Sequence, residues 1–285
     1  MTSAPPALPD DTAETIQRAL AEDVGSGDLT AALILKNQTA YAQVLTRENA
    51  ILCGCAWFDE VFRQLDTSVR IAWKASDSEA IHNGQVLCQI EGPVRAILTG
   101  ERTALNFLQT LSGVATRTHA YVDAVRGTKA VVLDTRKTVP GLRLAQKYAV
   151  RCGGGRNHRL GLYDGILIKE NHIAAAGSIT AALNAAGAVA TPKMMVEIEV
   201  ENLAQLHEAL AAGAKRILLD NFDLGGLRAA VSETRGRAQL EVSGGVTLAN
   251  VRALAETGVD FISVGDLTKN LTAVDLSLRF EKTSR

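Results

Sequence analysis

The sequence predicts an α/β protein of two domains: an N-terminal α+β domain, then a barrel of alternating strands and helices. Two observations carry this. In the second half, short β-branched or Leu-rich runs end in a polar residue, and an Ala-rich amphipathic stretch follows each. Repeated units of this kind build a parallel sheet flanked by helices. In the first part that rhythm is missing, and short strand-like runs are joined by turns around one helix. The 285 residues suffice for two modest domains, and 47% apolar with 21% charged residues is ordinary for a chain with a real core.

Residues 1–10 are Pro- and Ala-rich without a basic start or an apolar core, so they read as a frayed tail rather than a signal peptide. "TAYAQVLTRENAILCG", "VRIAWKASDSEAI" and "GQVLCQIEGPVRAIL" read as strands, with a helix near residues 56–65. "EAIHNGQVLCQIEG" resembles the β-hairpins of lipoyl-carrier folds. The modifiable lysine such a hairpin presents at its tip is absent, with His82-Asn83 in its place, so the stretch reads as scaffold. A helix over 101–113 leads toward the barrel. Residues 1–115 are assigned to the first domain and 116–269 to the barrel, with a C-terminal helix over 270–285 packing on the first domain.

The barrel strands follow in order. "KAVVLDTRK" ends at Asp134, "DGILIKEN" at Lys169, "MMVEIEVEN" near Glu199, "KRILLDNF" at Asp220, "QLEVSGG" at Ser243 and "DFISVGD" at Gly265. The last three intervals are 21, 23 and 22 residues, one strand–loop–helix unit each. Helices over 203–212 and 248–256 lie between them, closed by Gly213 and Gly258 where a left-handed cap is wanted. A barrel is preferred to an open sheet because chemistry-capable residues stand at every strand end, and a barrel gathers all its strand ends around one mouth. Six countable strands fall short of eight, so the barrel is incomplete.

A net charge of -1 gives no reason to expect nucleic acid or an anionic membrane, and no apolar run is long enough to span a bilayer. Four cysteines, Cys53, Cys55, Cys88 and Cys152, fit reduced thiols and a cytoplasmic location. Cys53-Gly54-Cys55 lacks a second Cys or His pair to complete a metal site. The charge that matters is local. Between Arg136 and His172 stand eight Lys or Arg (136, 137, 143, 147, 151, 156, 159, 169) against Asp164 and Glu170, which predicts an anionic ligand.

Asp134-Thr135-Arg136-Lys137 sits just past a strand, where it shares the predicted mouth with Lys169 and Arg159. The Arg fork donates two parallel hydrogen bonds to a planar carboxylate, while Lys serves as a point charge. Glu197, Glu199 and Glu201 alternate and so share one side of their strand. Glu199 and Asp220, on neighbouring strand ends, suit Mg²⁺ or sugar hydroxyls, or else pair structurally with nearby lysines. Ser243-Gly244-Gly245 and Ser263-Val264-Gly265 close the last two strands, where small residues let backbone N–H groups approach a phosphate. His158 and His172 are acid–base candidates or hydrogen-bonded structural residues. The residues alone thus give a barrel mouth that binds a phosphorylated sugar and a second, carboxylate-bearing anion. They do not give the reaction.

"ALAEDVGSGDLT", "TGERTALNFLQTLSGVAT", "DTRKTVPGLRLAQKYAV", "CGGGRNHR", "GILIKENHI", "VEIEVEN", "LLDNF" and "FISVGDLTK", in this order, resemble the quinolinate phosphoribosyltransferases from Ala19 to Phe280. The resemblance implies an N-terminal α/β sandwich domain joined to an α/β barrel of about seven strands. It implies a pentosyltransferase that joins quinolinate to phosphoribosyl pyrophosphate, giving nicotinate mononucleotide, pyrophosphate and carbon dioxide in NAD biosynthesis. Mg²⁺ would accompany the co-substrate, with no organic cofactor, and the assembly would be a homodimer or higher even oligomer. Arg136, His158, Arg159 and Lys169 would grip the quinolinate carboxylates, and Lys137 and Lys169 would serve the pyrophosphate. Glu199 and Asp220 would hold the ribose hydroxyls and Mg²⁺. Lys137, Lys169, Glu199 and Asp220 would be the catalytic set. Ser243, Gly244, Gly245 and Gly265 would cradle the 5′-phosphate, with Thr135, Ser263 and Val264 also binding substrate. Arg102 would reach into the neighbouring subunit's site. Some members carry Asn where Gly245 stands. The alternatives are a pyrophosphorylase-like paralogue of metal-transport operons and a non-catalytic hammerhead-type binding module.

Overall fold

A computed structural model describes residues 5–281. The first four residues of the expected tail and the last four of the expected C-terminal helix lie outside that range. The chain divides into two compact units. One takes the described residues up to His119, Val139–Gly154 and those from Asn270 onward; the other takes Ala120–Thr138 and Gly155–Lys269.

The first unit holds β1 (Thr39–Thr46), β2 (Ala50–Ile51), β3 (Arg70–Trp73), β4 (Ala80–Ile81) and β5 (Val86–Pro93). Its helices are α1 (Thr12–Val24), α2 (Cys55–Leu65), α3 (Val94–Ala124), most of which lies in this unit, and α4 (Arg143–Cys152). β1 buries Ala42, Val44 and Thr46, every second residue, as a strand with one covered face must. α2 buries Trp57, Phe58, Val61 and Phe62, a helical stripe that supplies this core. Phe58 meets Trp73 edge-on at 5.4 Å.

Three expectations need correction here. Residues 270–281 are not a helix. Leu276, Leu278 and Phe280 recur with period two, and the segment pairs antiparallel with β1 as an edge strand (Leu276–Phe280). "EAIHNGQVLCQIEG" does not form a paired hairpin either, because β4 pairs with β2 while β5 lies between β1 and β3. The helix foreseen over 101–113 is the middle of α3, and Gly113 does not end it. Gly113 instead permits close approach: a Cβ there would lie 2.1 Å from the Thr272 carbonyl oxygen.

Asp77 explains the cysteines. One carboxylate oxygen accepts the Gly54 and Cys55 N–H groups, which open α2, and the other accepts the Tyr148 hydroxyl at 2.7 Å. Burial pushes the Cys53, Cys55 and Cys88 thiols well up, so they behave as small apolar groups.

The second unit holds β6 (Val131–Leu133), β7 (Gly165–Ile168), β8 (Met195–Val200), β9 (Arg216–Asp220), β10 (Gln239–Ser243) and β11 (Phe261–Ser263). They form one parallel sheet in the order β6-β11-β10-β9-β8-β7. The last strand beside the first is the cyclic order of a barrel with its seam between β6 and β7. At that seam Arg156 makes a single parallel bridge to Leu133, exchanging bonds with Val132 and Asp134. The barrel-like sheet thus has six strands and one bridged residue.

Helices α5 (Glu170–Ala176), α6 (Ile179–Val189), α7 (Leu203–Ala211), α8 (Leu224–Thr234), α9 (Val251–Ala255) and α10 (Asp266–Lys269) connect and follow the strands. Ser178, Asn202 and Asp223 each accept a backbone N–H three residues on, which starts α6, α7 and α8. Gly213 and Gly258 adopt the left-handed conformation expected after α7 and α9. Among the described residues no single helix is long and apolar enough to cross a membrane.

Candidate active site

Parallel strands aim all their C-terminal ends one way, so the polar residues that end them converge. In the second unit they enclose a cavity of ≈ 170 Å³ lined by Thr135, Arg136, Lys137, His158, Arg159, Leu167, Lys169, Glu199, Leu218, Glu241, Ser243 and Ser263. The cation-rich stretch is therefore sorted by the fold. Arg136, Lys137, Arg159 and Lys169 reach this cavity, whereas Arg143, Lys147 and Arg151 lie on α4 in the other unit and Arg156 is exposed at the seam.

Asp134, fully buried at the end of β6, organises the loop that carries His158 and Arg159. It accepts the Asn157 amide at 2.6 Å and the His158 N–H at 2.9 Å. The Arg159 guanidinium donates to the Gly165 carbonyl at 2.9 Å. Burial first, and then the neighbouring Arg136 charge, hold it below the usual arginine value. Arg136 Nε is itself buried with no hydrogen-bond partner. Two guanidiniums lining one cavity and sensing each other's charge, one with an orphan donor, call for an anion.

On the other wall Lys169 Nζ stands 3.4 Å from Glu199. Burial raises the Glu199 carboxyl, Lys169 opposes the rise, and Asp220 adds to it. Glu199 and Asp220 thus sense each other across neighbouring strand ends. Glu201 lies past the end of β8, exposed, and does not join them.

The polar interior continues inward through residues the sequence reading underrated. Glu197 and Glu241 are both fully buried. Arg216 joins them, with Nε donating to Glu197 at 3.0 Å and Nη2 donating to Glu241. His158 Nε2 lies 2.8 Å from Glu197, and its Nδ1 accepts the Arg159 N–H at 2.7 Å. An accepting Nδ1 carries no proton, so the ring is the Nε2–H tautomer donating to Glu197. Burial alone would raise the Glu197 carboxyl, but His158 and Arg216 bring it below the usual value. Burial and then the Glu197 charge push Glu241 up to about 7.

Two domain models of quinolinate phosphoribosyl transferase match this chain, the N-terminal one over residues 28–112 and the C-terminal one over 114–279. The chain belongs to the quinolinate phosphoribosyltransferase family. The probable nicotinate-nucleotide pyrophosphorylase (carboxylating) of Bacillus subtilis is 43% identical over 257 residues, covering 90% of this chain and 89% of that protein. The nicotinate-nucleotide pyrophosphorylase (carboxylating) of Mycobacterium leprae is 44% identical, covering 93% and 95%. Among solved structures, the nicotinate-nucleotide pyrophosphorylase of Francisella tularensis superposes with a TM-score of 0.93 at 47% identity, covering 96% of this chain and 98% of that one.

Within this quinolinate phosphoribosyltransferase fold, nine of the sequence-predicted residues line the one cavity: Thr135, Arg136, Lys137, His158, Arg159, Lys169, Glu199, Ser243 and Ser263. Asp220 ends β9 beside it, where it accepts the Asn221 side chain at 2.8 Å. Gly244 and Gly245 are left-handed, and a Cβ on Gly244 would come 2.6 Å from the Asn221 side-chain oxygen. Gly245, at φ +59, occupies the left-handed region that Gly and Asn adopt most readily. Val264 is buried and its N–H donates to the Leu133 carbonyl, so that amide is spent on the sheet. Arg102 is exposed on α3 in the other unit. His172 lies outside the cavity, its Nδ1 accepting the Lys169 N–H at 2.9 Å.

Sequence reasoning missed Glu241, Leu167 and Leu218 as lining residues. Glu241 stands two residues before Ser243 and so shares its face, a signal "QLEVSGG" already held.

Proposed function

We propose that this chain catalyses phosphoribosyl transfer to quinolinate with decarboxylation, forming nicotinate mononucleotide, pyrophosphate and carbon dioxide. One observation carries the reading: the Arg136–Arg159 pair, with an unsatisfied buried Nε, faces a cavity that also presents Lys137 and Lys169. A pyridine dicarboxylate supplies two planar acceptors for the arginine forks. The lysines, as point charges, suit the pyrophosphate of the co-substrate. Together these cations fit catalysis on two polyanions better than a non-catalytic binding module.

In this reading the ring nitrogen displaces pyrophosphate at the anomeric carbon. Glu199 and Asp220 stabilise the cation-like transition state, and Lys137 and Lys169 the departing charge. The new pyridinium then draws in the electron pair of the bond to the 2-carboxylate, carbon dioxide leaves, and the pair left on ring carbon 2 takes a proton from solvent to give nicotinate mononucleotide. Glu199 and Asp220 also offer hard oxygen donors on neighbouring strand ends, a set that fits Mg²⁺. Mg²⁺ held there would neutralise phosphate charge on the co-substrate. Ser243, Gly244, Gly245 and Gly265 are assigned the 5′-phosphate, and Arg102 the site of a second subunit in a homodimer.

Product formation from quinolinate and from nicotinate, assayed side by side with phosphoribosyl pyrophosphate, tests this. Nicotinate leaves a buried arginine unpaired, which costs several kcal/mol or about 100-fold in kcat/KM. Equal turnover of the two acids would sink the dicarboxylate reading.

A further inference from the structure

Arg216 opens β9, far along the strand from Asp220 at its end, and does not line the cavity. Its surroundings are nonetheless built around it. The guanidinium bridges carboxylates from the strands on either side, Glu197 of β8 and Glu241 of β10, and lies 4.2 Å from the Phe261 ring centroid on β11. Only a planar fork can take two carboxylates and a ring face at once.

The chain of bonds runs on to the substrate loop. Glu197 accepts from His158 Nε2 at 2.8 Å, and this fixes the tautomer. The bare Nδ1 then accepts the backbone N–H of Arg159 at 2.7 Å. Asp134 holds the same loop from the other side through Asn157 and the His158 N–H. Both nitrogens of His158 are thus spent inside the protein, and the ring orients Arg159.

We infer that Arg216 is a positioning residue for the dicarboxylate subsite: through Glu197 and the His158 tautomer it sets the backbone of Arg159, whose guanidinium faces the substrate. This rests on the cavity being the quinolinate site. It also assigns His158 to orientation, in place of the direct carboxylate contact that the family resemblance implied. The lysines and the Ser243-Gly244-Gly245 loop lie outside this chain of bonds, and Ser263 touches it only through Glu241, to which its hydroxyl donates, so the co-substrate subsite should respond far less than the dicarboxylate subsite.

The test uses the full-length protein and two variants. Arg216→Met removes the bridge. Glu197→Leu removes the acceptor shared by His158 and Arg216 at similar volume and leaves Arg216 on Glu241, and it decides the matter if the methionine variant fails to fold. Histidine-selective ¹⁵N labelling, with His158 assigned through His158→Gln, reads the tautomer without any substrate. Calorimetry then reads quinolinate and, separately, phosphoribosyl pyrophosphate with Mg²⁺. The expected result is loss of the single Nε2–H signature at His158, quinolinate affinity down about tenfold or more, and co-substrate affinity within about threefold of wild type. An unchanged His158 signature, or equal losses for both ligands, would overturn the inference. Wild type that binds no quinolinate would instead remove the underlying reading, so the two failures are distinguishable.

Discussion

Gly265 has room for a hydrogen and nothing more beside Lys137: a Cβ there would come 2.9 Å from the Lys137 Cδ and 3.8 Å from its Nζ. Gly265 needs no unusual φ, so its smallness serves the lysine rather than the backbone. Gly265→Ala should therefore displace the ammonium while leaving the fold alone. Steady-state kinetics should show kcat/KM for phosphoribosyl pyrophosphate down on the order of tenfold. The thermal midpoint should move by less than about 2 °C. Wild-type kinetics would show that Lys137 does not act on the co-substrate.

Arg159→Lys keeps the charge and loses the fork. Its one internal bond, to Gly165, is modest, so the midpoint should barely move. Quinolinate affinity should fall by at least ~1 kcal/mol, about fivefold. Unchanged affinity by calorimetry would place Arg159 outside the site.

Glu241 makes stability depend on pH with a definite sign. Its carboxyl is raised to about 7, so the folded state keeps a proton that the unfolded chain has released. From the ordinary carboxylate range up to about pH 7, this group's contribution falls as pH rises, and it is lowest above pH 7. Glutamine has no such proton to lose. The stability of Glu241→Gln relative to wild type should climb between about pH 5 and pH 8, by on the order of 1–3 kcal/mol. Thermal melts across that range decide it: a constant or shrinking difference would show that Glu241 does not titrate there.

The proposed sharing of sites between subunits predicts complementation. Arg102→Ala and Asp220→Ala homodimers should each be nearly inactive. After mixed refolding, roughly half the dimers are heterodimers with one sound site, so activity should return to roughly a quarter of wild type. If Arg102 serves its own chain, every site carries a defect and mixing restores nothing.

The sequence by itself determined the architecture and most of the cavity wall. Hydrophobic periods, strand-ending polar residues and Gly caps are local signals, so six strand ends could be read directly, and Arg136, Lys137, Lys169, Glu199 and Ser243 with them. Only the tertiary structure decided how buried charges pair. Nothing local tells that Arg216 bridges Glu197 and Glu241, because the three come from separate strands and meet only when β8, β9 and β10 pair side by side. Nor does local sequence separate Arg159, in the cavity, from Lys147, buried on α4. The same holds for the strand at 276–280, whose fate depended on an open edge of β1 more than two hundred residues earlier. Periodicity is written residue by residue, whereas charge pairing and edge pairing depend on distances that exist only once the chain has closed on itself.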